Sequence, residues 1–64
     1  MIQRYYSGPD VICTILSDHV PAKGDTVTLR LKDGKIVMGS VKKHEWLFDE
    51  KSETSSVDIT LITF

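Results

Sequence analysis

Three side chains that alternate along one stretch of the sequence have the chemistry of a ligand-binding surface. Lys42, His44 and Trp46 lie two positions apart, and successive side chains of a β-strand point to opposite faces. An unbroken strand would therefore place all three on one face. An indole ring stacks on a nucleobase, while an ammonium group and an imidazole meet the charge of a phosphate. The spacing predicts a site for a nucleotide or a related small anion, with His44 as a hydrogen-bond donor.

Four further residues are candidates for the same site. Arg30 and Thr28 alternate on the polar side of the preceding predicted strand, and an arginine guanidinium binds phosphate oxygens in a bidentate manner. Tyr5 and Tyr6 are candidates for stacking near the N-terminus. The predicted ligand site accordingly comprises Trp46, His44, Lys42, Arg30, Thr28, Tyr5 and Tyr6.

The same side chains also fit purely structural roles. Trp46 and Phe48 would serve equally as core or as a subunit interface, because aromatic side chains dominate both settings. Lys42 and Lys43 are typical of a charged edge strand, which avoids unwanted pairing in this way. The two tyrosines would pack within an N-terminal strand. These alternatives stay open on the sequence alone.

Residues capable of catalysis or metal binding are few. The chain contains one cysteine, Cys13, and two histidines, His19 and His44, too few for a closed structural zinc site. Cys13 lies within an apolar predicted strand, where a free cysteine most often behaves as a small buried hydrophobe. The sequence contains no nucleophile elbow, no His-Glu-x-x-His motif and no phosphate-binding glycine loop. We expect neither an enzyme nor a cofactor or metal site.

The length and charge of the chain limit the function classes further. Its 64 residues predict one small domain, residues 1–64, and a net charge of −1 with an isoelectric point near 6.0 argues against a DNA-coating protein. No signal peptide or transmembrane segment is predicted, so a cytoplasmic location is expected. A domain this small buries little surface and often gains stability from a partner subunit. We therefore expect a homo-oligomer without membrane contact.

The elements that position these residues are predicted to be β-strands. Residues 26–32 alternate apolar and polar side chains, and Asp33-Gly34 is a strong signal for a two-residue hairpin turn. Residues 36–41 form the return strand. In that register the facing pairs on the buried side would be Leu31 with Ile36, Leu29 with Met38, and Val27 with Ser40.

A bend is predicted where the return strand continues toward Phe48. The apolar positions change parity after Val41, which a β-bulge near Lys42 and Lys43 would explain. Residues 49–56 are polar throughout and predict a mobile loop before the next strand.

Three other segments complete the predicted sheet. Residues 2–6 and 11–16 predict two N-terminal strands, residues 17–25 a connecting loop, and residues 57–64 a last strand with apolar side chains on both faces. One face of the last strand would carry Val57, Ile59 and Leu61, and the other Ile62 and Phe64. The predicted fold class is a small all-β, antiparallel, five-stranded barrel or curled sheet with little or no helix.

The central hairpin carries a recognisable pattern. In residues 24–39 the run LKDG at residues 31–34 is followed five residues later by Gly39. This run resembles the Sm-like family of RNA-binding rings and, more broadly, SH3-like barrels. The resemblance implies a tight turn, then a glycine where a second backbone approaches a bent strand, and ring-like or paired subunits. The family's base-stacking and base-reading positions would fall at Leu47 and Asp49, whose residue types differ from the family's.

Together these features predict a non-catalytic, oligomeric binding module. It would capture a small anionic ligand, such as a nucleotide or cyclic nucleotide, at a subunit boundary. Small stand-alone acidic chains are often phage accessory proteins, so a phage-encoded sponge that inhibits host antiviral signalling in the host cytoplasm is the expected setting. One alternative is an Sm-like or SH3-like RNA-binding module. Another is a phage inhibitor that blocks a host protein through an added edge strand or an aromatic hot spot.

Overall fold

Five β-strands and no helix make up the folded chain. The computed structural model describes all 64 residues, and its strands are β1 Ile2–Ser7, β2 Asp10–Leu16, β3 Thr26–Arg30, β4 Ile36–Asp49 and β5 Thr54–Thr63. The predicted all-β fold class is confirmed. No helix in the structure has the length and apolar character needed to cross a membrane.

The strands form one curled sheet in the order β2-β1-β5-β4-β3. Strands joined by short connections, β1 with β2, β3 with β4 and β4 with β5, are antiparallel, as such connections require. β1 and β5 are parallel, unlike the antiparallel pairing expected, because no hairpin joins them and fixes their direction. The sheet is a half-barrel, since its two edge strands, β2 and β3, do not pair with each other.

The turn between β3 and β4 contains three residues and not the predicted two. The backbone N–H of Leu31 donates to Lys35 O (2.8 Å), and that of Gly34 donates to Leu31 O (2.9 Å). Gly34 has a φ of 88°, and a glycine in this left-handed region is usual in a three-residue hairpin connection. Asp33 supports the turn, because its Oδ1 accepts a hydrogen bond from Lys35 N (2.9 Å).

The additional turn residue shifts the register of this hairpin by one position. Leu29 lies opposite Val37 and Thr28 opposite Met38, so the predicted register, in which Leu29 faced Met38, was wrong. A shift of one residue moves side chains to the other face of the sheet. Ile36 and Met38, which were expected in the core, are therefore on the outside and are 55% and 46% exposed.

The buried core lies on the concave side of the sheet, which we call the inner face. Val57 and Ile59 are fully buried and Leu61 is 3% exposed, which confirms that these three residues share the buried face of the last strand. β5 contributes so much of the core because it is the central strand. The other core side chains are Tyr5, Leu29 and Val41.

β4 contains a β-bulge where the change in alternation predicted one. Val41 and Lys43 pair with consecutive residues of β5, so Lys42 is an additional residue without a partner. A bulge of this kind resets the parity of a strand. The inner face that Val41 occupies before the bulge is therefore occupied by even-numbered residues after it, beginning with His44.

Gly39 lies where β4 passes closest to the end of β5. A Cβ atom at this position would lie 2.6 Å from Ile62 O and 3.2 Å from Thr63 Cα, which is too close for a side chain against backbone atoms. The prediction that this glycine permits the approach of a second backbone is confirmed.

The loop between β4 and β5 is shorter than predicted. β4 extends to Asp49 and β5 begins at Thr54, so residues 50–53 form the loop, and the prediction of a loop over residues 49–56 was wrong. Asp49 organises the turn, because its Oδ1 accepts hydrogen bonds from the backbone N–H groups of Lys51 (3.0 Å) and Ser52 (3.3 Å). Satisfying these groups lets the two strands stay paired to their ends.

Candidate functional site: an aromatic stripe on the β4–β5 hairpin

Three rings form a row along the half of β4 that follows the bulge. The ring centroids of His44 and Trp46 are 6.0 Å apart with an interplanar angle of 22°. Those of Trp46 and Phe48 are 6.4 Å apart with an angle of 8°. We call these three residues the aromatic stripe. It lies on the inner face, because its members pair with Ile59, Val57 and Ser55 of β5, and directly paired residues share a face.

The stripe is exposed because no other strand covers this half of β4. β3 pairs only with the first five residues of β4, so β4 becomes an edge of the sheet beyond the bulge. We call residues 43–49 of β4 and residues 54–60 of β5 the arm. His44 is half-buried at its base, whereas Trp46 is 46% and Phe48 is 74% exposed. Two large rings are therefore available to a ligand or a partner.

His44 is held in place by the connection between β2 and β3. Its Nε2 lies 2.7 Å from Pro21 O, and because a carbonyl oxygen only accepts hydrogen bonds, Nε2 carries the hydrogen and donates it. The nitrogen predicted to donate to a ligand is thus already used within the chain. In the neutral ring Nδ1 is an acceptor. The fixed imidazole of His44 forms the end of the stripe nearest the bulge.

Lys42 does not belong to the row of rings. It is the unpaired bulge residue, so the unbroken strand that would have aligned it with His44 and Trp46 does not exist. Its side chain is exposed and forms no ion pair, because the salt bridges of the structure are those of Asp18 with the N-terminus and of Arg4 with Asp58. A free ammonium group consequently lies four residues before Trp46 on the same strand.

Arg30 and Thr28 are separated from Trp46 within one chain. They lie opposite Ile36 and Met38, at the beginning of β4 and on the outer face, whereas the stripe lies on the inner face near the end of the same strand. The prediction that these two residues join Trp46 in one site was therefore wrong for a single chain. Both side chains are exposed, and Arg30 has no ion-pair partner.

Tyr5 is part of the core and not a stacking surface. Its side chain is 4% exposed, and its hydroxyl donates a hydrogen bond to Gln3 Oε1 (2.8 Å). Burial raises the pKa of Tyr5 above its ordinary value. The Gln3 amide in turn donates to Ser17 O (2.9 Å) and His19 O (2.8 Å), so this buried pair fixes the loop that holds His44.

Tyr6 lies on the outer face and takes part in a polar cluster. Its hydroxyl donates to Asp58 Oδ2 (3.4 Å), while Arg4 Nε donates to Asp58 Oδ1 (2.7 Å). With Lys43 and Thr60 among its neighbours, it lines a shallow cleft of about 180 Å³. The structure thus brings together Trp46 and His44 of the predicted site, and places Tyr5, Tyr6, Arg30 and Thr28 elsewhere.

A larger groove separates the two edge strands. It has a volume of about 610 Å³ and is lined by residues 11–15 of β2 and residues 30–33 at the end of β3. Cys13 lies in it, packed against the core but only partly buried, so the predicted buried hydrophobe keeps some exposure. No group of three or more His, Cys, Asp or Glu side chains is placed to hold a metal ion.

The two ends of β4 carry opposite charge. The tip of the arm, Asp49 together with loop residues 50–53, has three carboxylates and one ammonium group, a net charge of −2. The turn at the other end, residues 30–35, has one carboxylate and three cationic side chains, a net charge of +2. Beside the turn, the exposed apolar residues of the outer face form what we call the outer patch: Ile36, Met38, Ile62 and Phe64.

Sequence reasoning placed Ile62 and Phe64 on the outer face but missed Ile36 and Met38 beside them, and it missed the charge contrast. Ile62 lies opposite Ser40 and the backbone N–H of Phe64 donates to Met38 O (2.9 Å), so the patch is continuous across β4 and β5. The register of the hairpin was the missing information. The charge contrast was readable from the sequence once the two turns were recognised as the opposite ends of one strand.

Comparison with known proteins found no match. The sequence fits no family model, and no curated protein and no solved structure is similar to it. The resemblance of residues 24–39 to Sm-like and SH3-like barrels therefore stays a prediction.

Proposed function

We propose that this protein is a non-catalytic binding module that captures a small anionic ligand with a planar ring, such as a nucleotide or cyclic nucleotide, on the aromatic stripe. The observation that carries the proposal is the exposure of Trp46 and Phe48, which lie almost parallel on the inner face of the arm. Planar rings of this kind stack on nucleobases without regard to base identity.

The stripe has the rigidity that a binding platform requires. Every residue of the arm's β4 strand is paired with β5, and β5 is itself paired with β1. His44 is anchored through Pro21 O. A preorganised surface loses little conformational entropy when a ligand binds.

The cations for a phosphate are present but are not assembled beside the rings in one chain. Lys42 at the base of the arm and Arg30 on the outer face are exposed and free of ion pairs. Lys42 is on the same strand as Trp46, and Arg30 is not within reach of it. We propose that a neighbouring molecule supplies the guanidinium that each chain holds apart from its own Trp46.

The proposed role of such a site is sequestration. Held against the stripe, a cyclic-nucleotide signal would be bound and kept from its receptor. A phage-encoded sponge acting against host antiviral signalling is the setting that we propose for this activity.

Isothermal titration of the full chain with adenosine, adenosine monophosphate, cyclic AMP and a cyclic dinucleotide tests the proposal. We expect the phosphorylated probes to bind and to quench the single tryptophan. Trp46→Ala should lose about 1–3 kcal/mol of binding free energy, the contribution of one stacked base. Leu47→Ala is the matched control, because Leu47 is 58% exposed on the same strand but lies on the outer face.

Binding that is equal in Trp46→Ala and Leu47→Ala, or no heat with any of the four probes, would refute the proposal. A uridine oligonucleotide in the same titration tests RNA as the ligand. RNA binding would weaken steeply as salt increases, and it would have to depend on Trp46 to involve the stripe.

A second function is favoured by the charge of the arm tip. Two exposed aromatic rings beside a net charge of −2 suit a protein surface with an apolar pocket and a basic rim, because aromatic anchors form most interface hot spots. In that case the nucleotide probes give no heat, and a partner purified with the chain is released by Trp46→Ala but retained by Leu47→Ala.

A further inference from the structure

We propose that a second copy of this chain binds the arm head to tail, so that Phe48 at the end of the aromatic stripe of one copy lies on the outer patch of the next and Trp46 stays open at the boundary. The inference rests on the proposed function, because it identifies the neighbour that would complete the ligand site. Two features of the structure support it: the exposed apolar surface and the charge.

The two apolar surfaces are both exposed and lie on different parts of the molecule. The stripe is on the inner face of the arm, and the outer patch is on the outer face at the opposite end of β4. Phe64 and Ile62 in the patch are 78% and 54% exposed. Exposed apolar surface of this kind marks sites of association, and here each copy presents one surface of each type.

The charges beside the two surfaces are complementary. The tip next to the stripe has a net charge of −2, and the turn next to the outer patch has a net charge of +2. Placing Phe48 of one copy on the patch of the next brings the acidic tip to the basic turn. Complementary charge of this kind orients the partners and disfavours the wrong arrangement.

The same charges disfavour one symmetric alternative. In a two-fold dimer whose arms run parallel, the two acidic tips would lie side by side and repel. A head-to-tail contact joins two different surfaces, so it leaves one of each unused and continues until the assembly closes into a ring or extends as a filament.

Head-to-tail contact also reunites the divided ligand site. Arg30 and Thr28 lie opposite Ile36 and Met38 on the outer face, directly beside the patch that would receive Phe48. The guanidinium of one copy thereby meets Trp46 of another, although the two are apart within each chain. The phosphate would be held by the first copy and the base by the second.

Charge reversal of the full chain tests the arrangement by sedimentation velocity. A tip-reversed variant carries Glu50→Lys with Glu53→Lys, and a turn-reversed variant carries Lys32→Glu with Lys35→Glu. All four positions are exposed, so we expect both variants to fold. The dissociation constant for self-assembly of each variant should be at least about tenfold higher than that of the wild type. Assembly of the wild type should weaken as the salt concentration rises.

An equimolar mixture of the two reversed variants is the decisive sample. Each tip then finds a turn of opposite charge on the other variant, so assembly should return although neither variant assembles alone. Failure of the mixture to assemble, a wild type that is monomeric at every concentration, or tighter assembly of the tip-reversed variant alone would each overturn the head-to-tail arrangement.

Adenosine monophosphate binding to mixed variants tests the shared site separately. Trp46→Ala and Arg30→Ala should each bind the probe weakly alone, and mixing them should restore a fraction of the sites, because some boundaries then combine an intact Trp46 with an intact Arg30. If the wild type binds the probe through Trp46 while it is a monomer, the head-to-tail proposal fails and the proposed function stands. If it assembles as described but binds no probe, the proposed function fails and the assembly stands.

Discussion

The two halves of β4 both pair with β5 but differ in whether a strand covers their other side and in the exposure of their inner-face residues. Before the bulge, β4 lies between β3 and β5, and Gly39 and Val41 are buried on its inner face. After the bulge it has β5 alone, and the inner-face residues are aromatic and become more exposed toward the tip, ending with Phe48 at 74% exposure.

This contrast is the reverse of what folding alone favours. Folding places large apolar side chains where neighbours on both sides can remove them from water. Here the small residues lie in the covered half and the aromatic residues in the uncovered half. Trp46 lies directly opposite Val57, which is completely buried. The exposed fraction of the side chains therefore rises sharply between two neighbouring strands. The aromatic residues of the second half are therefore best explained by contact with something outside the chain.

The largest effect is expected in the covered part of the sheet. Ile59→Ala should reduce the free energy of unfolding by about 2–5 kcal/mol, because Ile59 is fully buried and the vacated space cannot refill. Urea unfolding measures the loss. Should that variant fail to fold, Ile59→Val should still lose about 0.5–1.5 kcal/mol. A loss no greater than that of Phe48→Ala would contradict the contrast between covered and uncovered residues.

Gly39→Ala should destabilise the first half of β4 specifically. The added methyl group would lie 2.6 Å from Ile62 O, and forcing strands apart in this way costs about 1–3 kcal/mol. Ser40→Ala, the adjacent position on the outer face, serves as the control in the same urea experiment. An unchanged midpoint for Gly39→Ala would show that the ends of β4 and β5 separate easily.

Tyr5→Phe should cost about 1–3 kcal/mol at neutral pH, because it leaves the buried Gln3 Oε1 without its donor. The folded pKa of Tyr5 is raised by burial, so the stability it contributes is complete below its ordinary pKa and is lost as pH rises through the folded value. The gap between wild type and variant should therefore narrow above about pH 10. Urea midpoints at neutral and alkaline pH measure it, and a constant gap would contradict the burial of the hydroxyl.

The smallest effect on stability is expected at the end of the arm. Phe48→Ala should change the free energy of unfolding by about 0.5 kcal/mol or less, as surface substitutions do, because its ring is largely exposed. Thermal unfolding of dilute protein measures it. A large loss would mean that the stripe supports the fold, and the second half of β4 would then resemble the first.

The fold was predictable from the sequence as far as local rules reach. Alternation identified the strands, and the change in parity after Val41 located the bulge, because a strand with one buried face tolerates such a change only by inserting a residue. The prediction failed at the turn. Residues 32–34 fit both a two-residue and a three-residue connection, and the choice reverses which side of β4 is buried.

The candidate site was only partly predictable, for a reason of geometry. Trp46 and His44 are neighbours on one strand, and alternation is enough to bring them together. The positions of Arg30 and Thr28 relative to Trp46 depend on the register of the hairpin and on which half of β4 lies beside β3. Alternation gives the face of a residue but not its distance along the sheet, so the separation from Trp46 appeared only in three dimensions.

The central place of β5 also has a consequence for how the chain is made. The hairpin of β1 with β2 and that of β3 with β4 can each form as soon as they leave the ribosome, but each is joined to the other only through β5. β5 follows the other four strands in the sequence, and its parallel contact with β1 joins residues more than 50 positions apart. Assembly of the sheet must wait until β5 is available and then close long-range contacts, which slows folding.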